Sequence, residues 1–169
     1  MSDQVKRFIR VDHAGEYGAA RIYAGQLAVL LRGPHAEQIE HMQAQEQVHL
    51  DAFSVMIAKR RVRPTALLPF WHVAGFALGA VTAALGPEAA MACTVAVEET
   101  IDEHYAAQAA TLGEDEAELG STVEKFRQEE VEHRDIGLAN GAERAPGYRL
   151  LTGLIRAGCK AAIKLSEVV

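Results

Sequence analysis

Cysteine is scarce in this 169-residue chain: Cys93 and Cys159 are the only two, 66 residues apart, with no Cys-x-x-Cys pair and no cluster with histidine. That excludes a disulfide scaffold, argues against structural zinc, and makes a reducing compartment the default. Aromatic residues are also few, 6% of a chain that is 49% apolar, which suits a helical bundle rich in Ala and Leu better than a β-sandwich. No stretch alternates apolar and polar residues for the length of a strand, so the expected class is all-α. A basic excess is missing too: 17 Lys and Arg stand against 23 Asp and Glu, a formal charge of −6, which argues against nucleic acid as a partner. The opening MSDQVKRFIRVDHAGE has neither an apolar core nor an Arg/Ser-rich amphipathic lead, so no signal or transit peptide is expected. No Gly-rich dinucleotide fingerprint occurs either.

Glycine and proline divide what is present. Gly33-Pro34, Pro64, Pro69, Gly86-Pro87, Gly113, Asn140-Gly141 and Pro146 fall where helix termini need them. They delimit four bundle helices at about 3–32, 35–60, 88–112 and 115–140, an apolar helix at about 70–85, and an amphipathic C-terminal helix at about 147–166. The length fits one domain, 1–169.

One arrangement occurs twice. Glu16 is followed 30 residues later by Glu46 in a Glu-x-x-His ending at His49, and Glu98 is followed 32 residues later by Glu130 in a Glu-x-x-His ending at His133. Near-equal intervals are expected if each copy is a pair of antiparallel helices whose polar residues meet at one height. The phase agrees. Ile39, Met42, Phe53 and Met56 keep i+3/i+4 spacing only if Glu46 and His49 share their face, and Leu119, Val123, Phe126 and Gly137 do the same for Glu130 and His133. Glu16 lies in the stripe Val5, Ile9, Asp12, Tyr23, Leu27, and Glu98 in the stripe Met91, Val95, Tyr105, Leu112; the adjacent Glu99 points about 100° away.

One Glu from each of two helices and Glu-x-x-His from each of two others is the ligand set of a dinuclear metal centre in a ferritin-like four-helix bundle. Glu and His three apart stand on adjacent turns, so the carboxylate can bridge two metals while the imidazole caps one. Four carboxylates balance two divalent ions; turned into a core without metal, some would have to stay protonated. Oxygen-rich ligation with one imidazole per metal favours two Fe ions, with Mn as a substitute. The expected ligands are Glu16, Glu46, His49, Glu98, Glu130 and His133. Asp12, His13, Asp51 and Asp135 are candidates to accept from the outer imidazole N–H groups, with surface ion pairs or helix-end roles as the competing reading. Tyr23 and Tyr105 each follow a ligand glutamate by seven residues on the same face; they would hydrogen-bond the cluster or relay an electron, unless they only pack.

Between Arg63 and Glu88 no residue is charged. Pro69 and Gly86-Pro87 leave roughly 16 helical residues there, short of the roughly 20 a membrane span needs. Lys59, Arg60, Arg61 and Arg63 precede the segment, Trp71 stands at its edge, and the last helix sets Leu150, Leu151, Leu154, Ile155, Ile163 and Leu165 beside Arg149, Arg156, Lys160 and Lys164. Both features fit a protein lying on a membrane through residues of about 59–85 and 147–166 rather than crossing it. The alternative is that these helices cover the bundle or form an oligomer interface, with Gly75 and Gly79 allowing close approach.

With these residues placed, the chain resembles the demethoxyubiquinone hydroxylase (Coq7) family of ubiquinone biosynthesis. The carrying segments are IRVDHAGEYGAARIYAGQ, RVRPT, FALGA, AMACTVAVEE, EEVEHRDIGL and AGCKAAIKLSE, spread from end to end. The resemblance implies metal ligands at the same six positions, with His104 and Tyr105 near the substrate or electron-entry side. It also implies a di-iron monooxygenase that hydroxylates the ring of a polyprenylated demethoxy-quinol, with O2 as co-substrate. A reductant such as NADH would bind through no recognisable motif. Such an enzyme would sit as a peripheral protein on the cytoplasmic face of the bacterial inner membrane, or on the matrix side of the mitochondrial inner membrane. A lipid-presenting partner protein or a homo-oligomer is compatible with that placement. A ferritin-like iron-storage or peroxide-reducing protein is the alternative within metal chemistry, and a membrane-bound helical adaptor the alternative without it.

Overall fold

The computed structural model describes residues 1–169. Six α-helices follow in order: α1 (Asp3–Leu30), α2 (Ala36–Arg60), α3 (Leu68–Ala84), α4 (Pro87–Ala109), α5 (Ala117–Ala139) and α6 (Tyr148–Val168). The all-α expectation holds. Helices α1, α2, α4 and α5 form the bundle, with α3 laid against α1 and α6 against α4.

The termini follow local chemistry. Ser2 caps α1 by accepting a 3.2 Å hydrogen bond from the Val5 N–H. Arg61 ends α2 in the left-handed region at φ 52°. Gly86, at φ 124°, turns the chain into Pro87 at the start of α4. Helix α3 begins at Leu68, ahead of the expected 70, because Pro69 sits in the first turn, where a missing N–H costs nothing. Two helices stop short of the expected ends: α1 closes at Leu30, not 32, and α4 at Ala109, not 112. Gly113 is followed by a 3-10 turn, Glu114–Glu116, so α5 starts at Ala117 rather than 115.

Apolar layers enclose the polar stripe. Val5, Ile9, Phe53, Val123 and Phe126 pack on one side of it; Tyr23, Ile39, Met42, Met91 and Val95 pack on the other. A third cluster, with Ile22, Cys93, Val97 and Ile155, joins α1, α4 and α6. Both cysteines are free thiols.

Helix α3 meets α1 backbone to backbone. A Cβ on Gly79 would fall on the Ile22 carbonyl, one on Gly25 would fall on the Phe76 carbonyl, and one on Gly75 would lie 2.9 Å from the Gly18 carbonyl. Gly75 and Gly79 thus serve packing inside the chain, as the covering alternative expected. The other face of α3 is bare: Phe70, Val73, Val81 and Leu85 are each at least 60% exposed. No helix is long and apolar enough to cross a membrane.

Candidate metal centre

Two turns of each bundle helix deliver the site. Glu16 (α1), Glu46 and His49 (α2), Glu98 (α4), and Glu130 and His133 (α5) are all buried, and they converge as two overlapping sets. Glu16, Glu46, His49 and Glu130 bring ligand atoms within 4.8 Å of one another, and so do Glu46, Glu98, Glu130 and His133. The two Glu-x-x-His glutamates belong to both sets, which is the placement of bridging carboxylates. His49 Nδ1 is 3.1 Å from Glu130 Oε1 and 3.4 Å from Glu16 Oε2; His133 Nδ1 is 3.1 Å from Glu46 Oε1 and from Glu130 Oε2. Both imidazoles therefore turn Nδ1 inward.

The donor set fits two metal ions. Glu16 Oε2, both oxygens of Glu46, Glu98 Oε2, both oxygens of Glu130, and Nδ1 of His49 and His133 are buried without a hydrogen-bond partner. Buried polar atoms normally find partners, and orphans facing one point are what a cation pair would satisfy. The electrostatics agree. Burial, then the neighbouring carboxylates, raises Glu46 and Glu98 well above the ordinary carboxylate range. Burial disfavours charge on His49, but Glu130 and Glu16 outweigh it and raise the imidazolium to about 11. Burial likewise opposes ionisation of Glu130, yet its contacts with His133 and His49 hold it below its usual range. Without metal, the cluster must hold protons.

Each remaining carboxylate oxygen is held from the opposite helix. Tyr23 Oη donates to Glu98 Oε1 at 2.5 Å, and Tyr105 Oη donates to Glu16 Oε1 by a short hydrogen bond. Both tyrosines thus join the cluster rather than merely pack. Asp12 is buried near Glu16 and accepts from His104 Nε2 at 3.2 Å and Gln108 Nε2 at 2.6 Å. His104 is part-exposed, so this network runs from the surface toward Glu16.

Other sequence expectations fail here. Asp135 is exposed and pairs with Arg134, and Asp51 is exposed and accepts from Gln47. Each stands two residues after a ligand histidine, about 200° around its helix and so facing away. His13 is buried but its Nδ1 has no partner, so it accepts nothing from the imidazoles. The outer imidazole N–H groups go elsewhere: His49 Nε2 to Glu129 Oε2 at 2.8 Å, and His133 Nε2 to Gln45 Oε1 at 3.0 Å. Glu129, Gln45 and Gln108 were missed. The available signal was that positions 45 and 129 each immediately precede the glutamate of a Glu-x-x-His motif.

Behind the centre, α1, α3, α4 and α6 enclose a cavity of about 490 Å³ lined by Ala14, Gly15, Ile22, Leu78, Val97, Ile155 and others, 15 of its 20 residues being hydrophobic. It runs out past Trp71 and Leu154 toward the bare faces of α3 and α6.

Comparison with known proteins agrees with this geometry. A family model described as ubiquinone biosynthesis protein COQ7 matches residues 3–166. The chain is 59% identical over 166 residues to the 3-demethoxyubiquinol 3-hydroxylase of Rhodospirillum rubrum, covering 98% of this chain and 78% of that one. It is 57% identical over 167 residues to the NADPH-dependent 3-demethoxyubiquinone 3-hydroxylase, mitochondrial, of Homo sapiens, covering 96% and 77%. The 5-demethoxyubiquinone hydroxylase, mitochondrial, of Saccharomyces cerevisiae is 42% identical over 178 residues, covering 95% and 76%.

Proposed function

This chain belongs to the ubiquinone biosynthesis protein COQ7 family, and from that premise we propose that it is a 3-demethoxyubiquinol 3-hydroxylase, a di-iron monooxygenase of ubiquinone biosynthesis. The observation that carries the reading is the cluster of eight orphaned, buried ligand atoms on six side chains. In the reaction, a ring C–H of the demethoxy-quinol becomes C–OH. One atom of O2 enters the product and the other leaves as water, at the expense of two electrons and two protons from a reductant. A bound iron pair supplies the O2 activation that no side chain here can perform alone.

The chain's own groups do the rest. Glu46 and Glu130 stand where both ions can be bridged, and Glu16 with His49, and Glu98 with His133, cap one ion each. Tyr23 and Tyr105 anchor the terminal carboxylates and can hold a proton at the hydroxyl, since burial raises both phenols well above their ordinary value. The apolar layers keep water from the centre. His104 and Asp12 mark the entry side for electrons and protons. The human relative is named for NADPH; a reduced nicotinamide nucleotide, rather than NADH in particular, is the donor proposed here.

A polyprenylated ring suits the cavity, whose inner wall is formed by the same turns of α1 and α4 that carry Glu16 and Glu98. The exposed side chains Phe70, Val73, Val81, Leu150 and Leu154 around its outer end favour a membrane surface as the source of substrate. Arg61, Arg63, Arg149 and Lys164 are exposed and suit anionic headgroups. Lys59, Arg60, Arg156 and Lys160 are instead paired with Glu118, Glu116, Glu99 and Glu103, so the electrostatic share is smaller than the sequence implied. A lipid-presenting partner or a second copy would have to use this same apolar face. The eukaryotic relatives named above are mitochondrial by name, which supports the matrix side of the inner membrane for such members and the cytoplasmic face for bacterial ones. Storage, the alternative, gains no support from relatives named as hydroxylases.

The test is genetic. In a respiring host deleted for its own hydroxylase, this chain should restore ubiquinone and remove the accumulated demethoxy intermediate. Persistence of that intermediate, with the protein present and metal-loaded, contradicts the assignment.

A further inference from the structure

The centre is nearly two-fold. Glu16 and Glu98 are each held by a tyrosine from the opposite helix, Glu46 and Glu130 are shared, and each histidine turns Nδ1 inward. The residue before each motif glutamate reaches the histidine of the other motif: Gln45, before Glu46, to His133, and Glu129, before Glu130, to His49. There the symmetry breaks, because one acceptor is an amide and the other a carboxylate.

We propose that Glu129 makes the two metal positions unequal, so that the position capped by His49 fills first and more tightly than the one capped by His133. A carboxylate accepting from Nε2–H draws that proton outward and enriches Nδ1, the atom facing the metal, whereas a neutral amide orients its ring with much less gain in basicity. The ring environments add no opposing difference. His49 stacks on Phe126 at 4.0 Å between centroids, and His133 meets the edge of Tyr23 at 6.1 Å, so both rings are fixed. Glu129 is 26% exposed, with Lys125 Nζ 3.8 Å from its other oxygen, which tempers the effect without neutralising the Oε2 that faces His49. Glu129 is thus a positioning residue that acts on a metal through His49. Sequential filling would let the chain load its pair in a defined order instead of by chance.

The inference rests on the metal-centre reading, and one titration separates their failures. Mn(II) is added to the metal-free full chain, followed by calorimetry and by the electron paramagnetic resonance of the bound ion. The wild type should bind two equivalents in two steps, the first at least about tenfold tighter. Glu129→Gln should weaken the first step by about 10- to 100-fold and merge the two. Gln45→Glu should tighten the second step toward the first. The double exchange, Gln45→Glu with Glu129→Gln, should restore two separated steps. In a His133→Ala background, where the His49 position remains, Glu129→Gln should still weaken binding and Gln45→Glu should not. Two indistinguishable steps in the wild type, or a gap unchanged by Glu129→Gln, overturn the inequality while leaving the centre intact. Failure of the wild type to bind two ions overturns the centre itself. Unchanged helical circular dichroism in the variants keeps folding out of the result.

Discussion

Tyr23 on α1 donates a 2.5 Å hydrogen bond to Glu98 on α4, across the bundle and inside the core. Tyr105 on α4 returns the same service to Glu16 on α1. Seven residues, about two helical turns, separate each tyrosine from the glutamate on its own helix. The exchange ties the two halves of the chain together at the level of the carboxylates.

Tyr23→Phe should leave Glu98 Oε1 buried without a donor. The cost is about 1–3 kcal/mol, read as a melting temperature lower by roughly 2–10 °C for a chain of this size. Thermal unfolding of the metal-loaded protein checks this, and an unchanged midpoint would show that the bond contributes nothing.

Glu46→Ala should behave oppositely in the presence and absence of metal. Without metal, Glu46 is a buried carboxyl crowded by Glu130, Glu16 and Glu98, so its removal relieves repulsion and the metal-free variant should be no less stable than its metal-free parent. With metal supplied, the variant should lose the bridge, retain less than one equivalent, and have no hydroxylase activity. Metal analysis beside paired melting curves reads both halves.

The pH dependence follows from the raised groups. Glu46 and Glu98 titrate above their ordinary value in the fold, and His49 rises to about 11. A group raised in the folded state stabilises fully below its unfolded value, and that contribution is lost as pH climbs toward the folded value. Metal-free protein should therefore melt higher near pH 5.5 than near pH 9, and metal binding should release protons and strengthen as pH rises. Melting of the metal-free chain across this window, with proton release measured in a weakly buffered titration, checks both signs.

Flotation with liposomes tests the exposed faces of α3 and α6. The chain should float with vesicles containing anionic lipid and dissociate in carbonate, and Leu150→Glu with Leu154→Glu should abolish binding. Because four of the basic side chains are paired within the fold, high salt should weaken binding only in part. A pellet resistant to carbonate would contradict a surface-bound protein.

The six cluster residues were legible because their identities break apolar stripes in phase, and phase is a property of one helix at a time. What failed needed two helices. Gln45 and Glu129 reach the histidines only through the mutual rotation of α2 and α5, which no single stripe reports. Asp51 and Asp135 looked suitable by proximity in sequence, yet a two-residue step turns a side chain to the far face. Gly75 and Gly79 were read as close-approach residues, but their partner, α1, is set by tertiary packing. The cavity was invisible for the same reason, since it depends on how α6 leans on α4, about 50 residues away in sequence.

The most direct measurement is iron content with Mössbauer spectroscopy on protein made in iron-replete cells. Two irons per chain forming one coupled dinuclear centre are expected, with the signal lost in His133→Ala. One iron per chain, or two uncoupled mononuclear irons, would contradict a shared site built from Glu16, Glu46, His49, Glu98, Glu130 and His133.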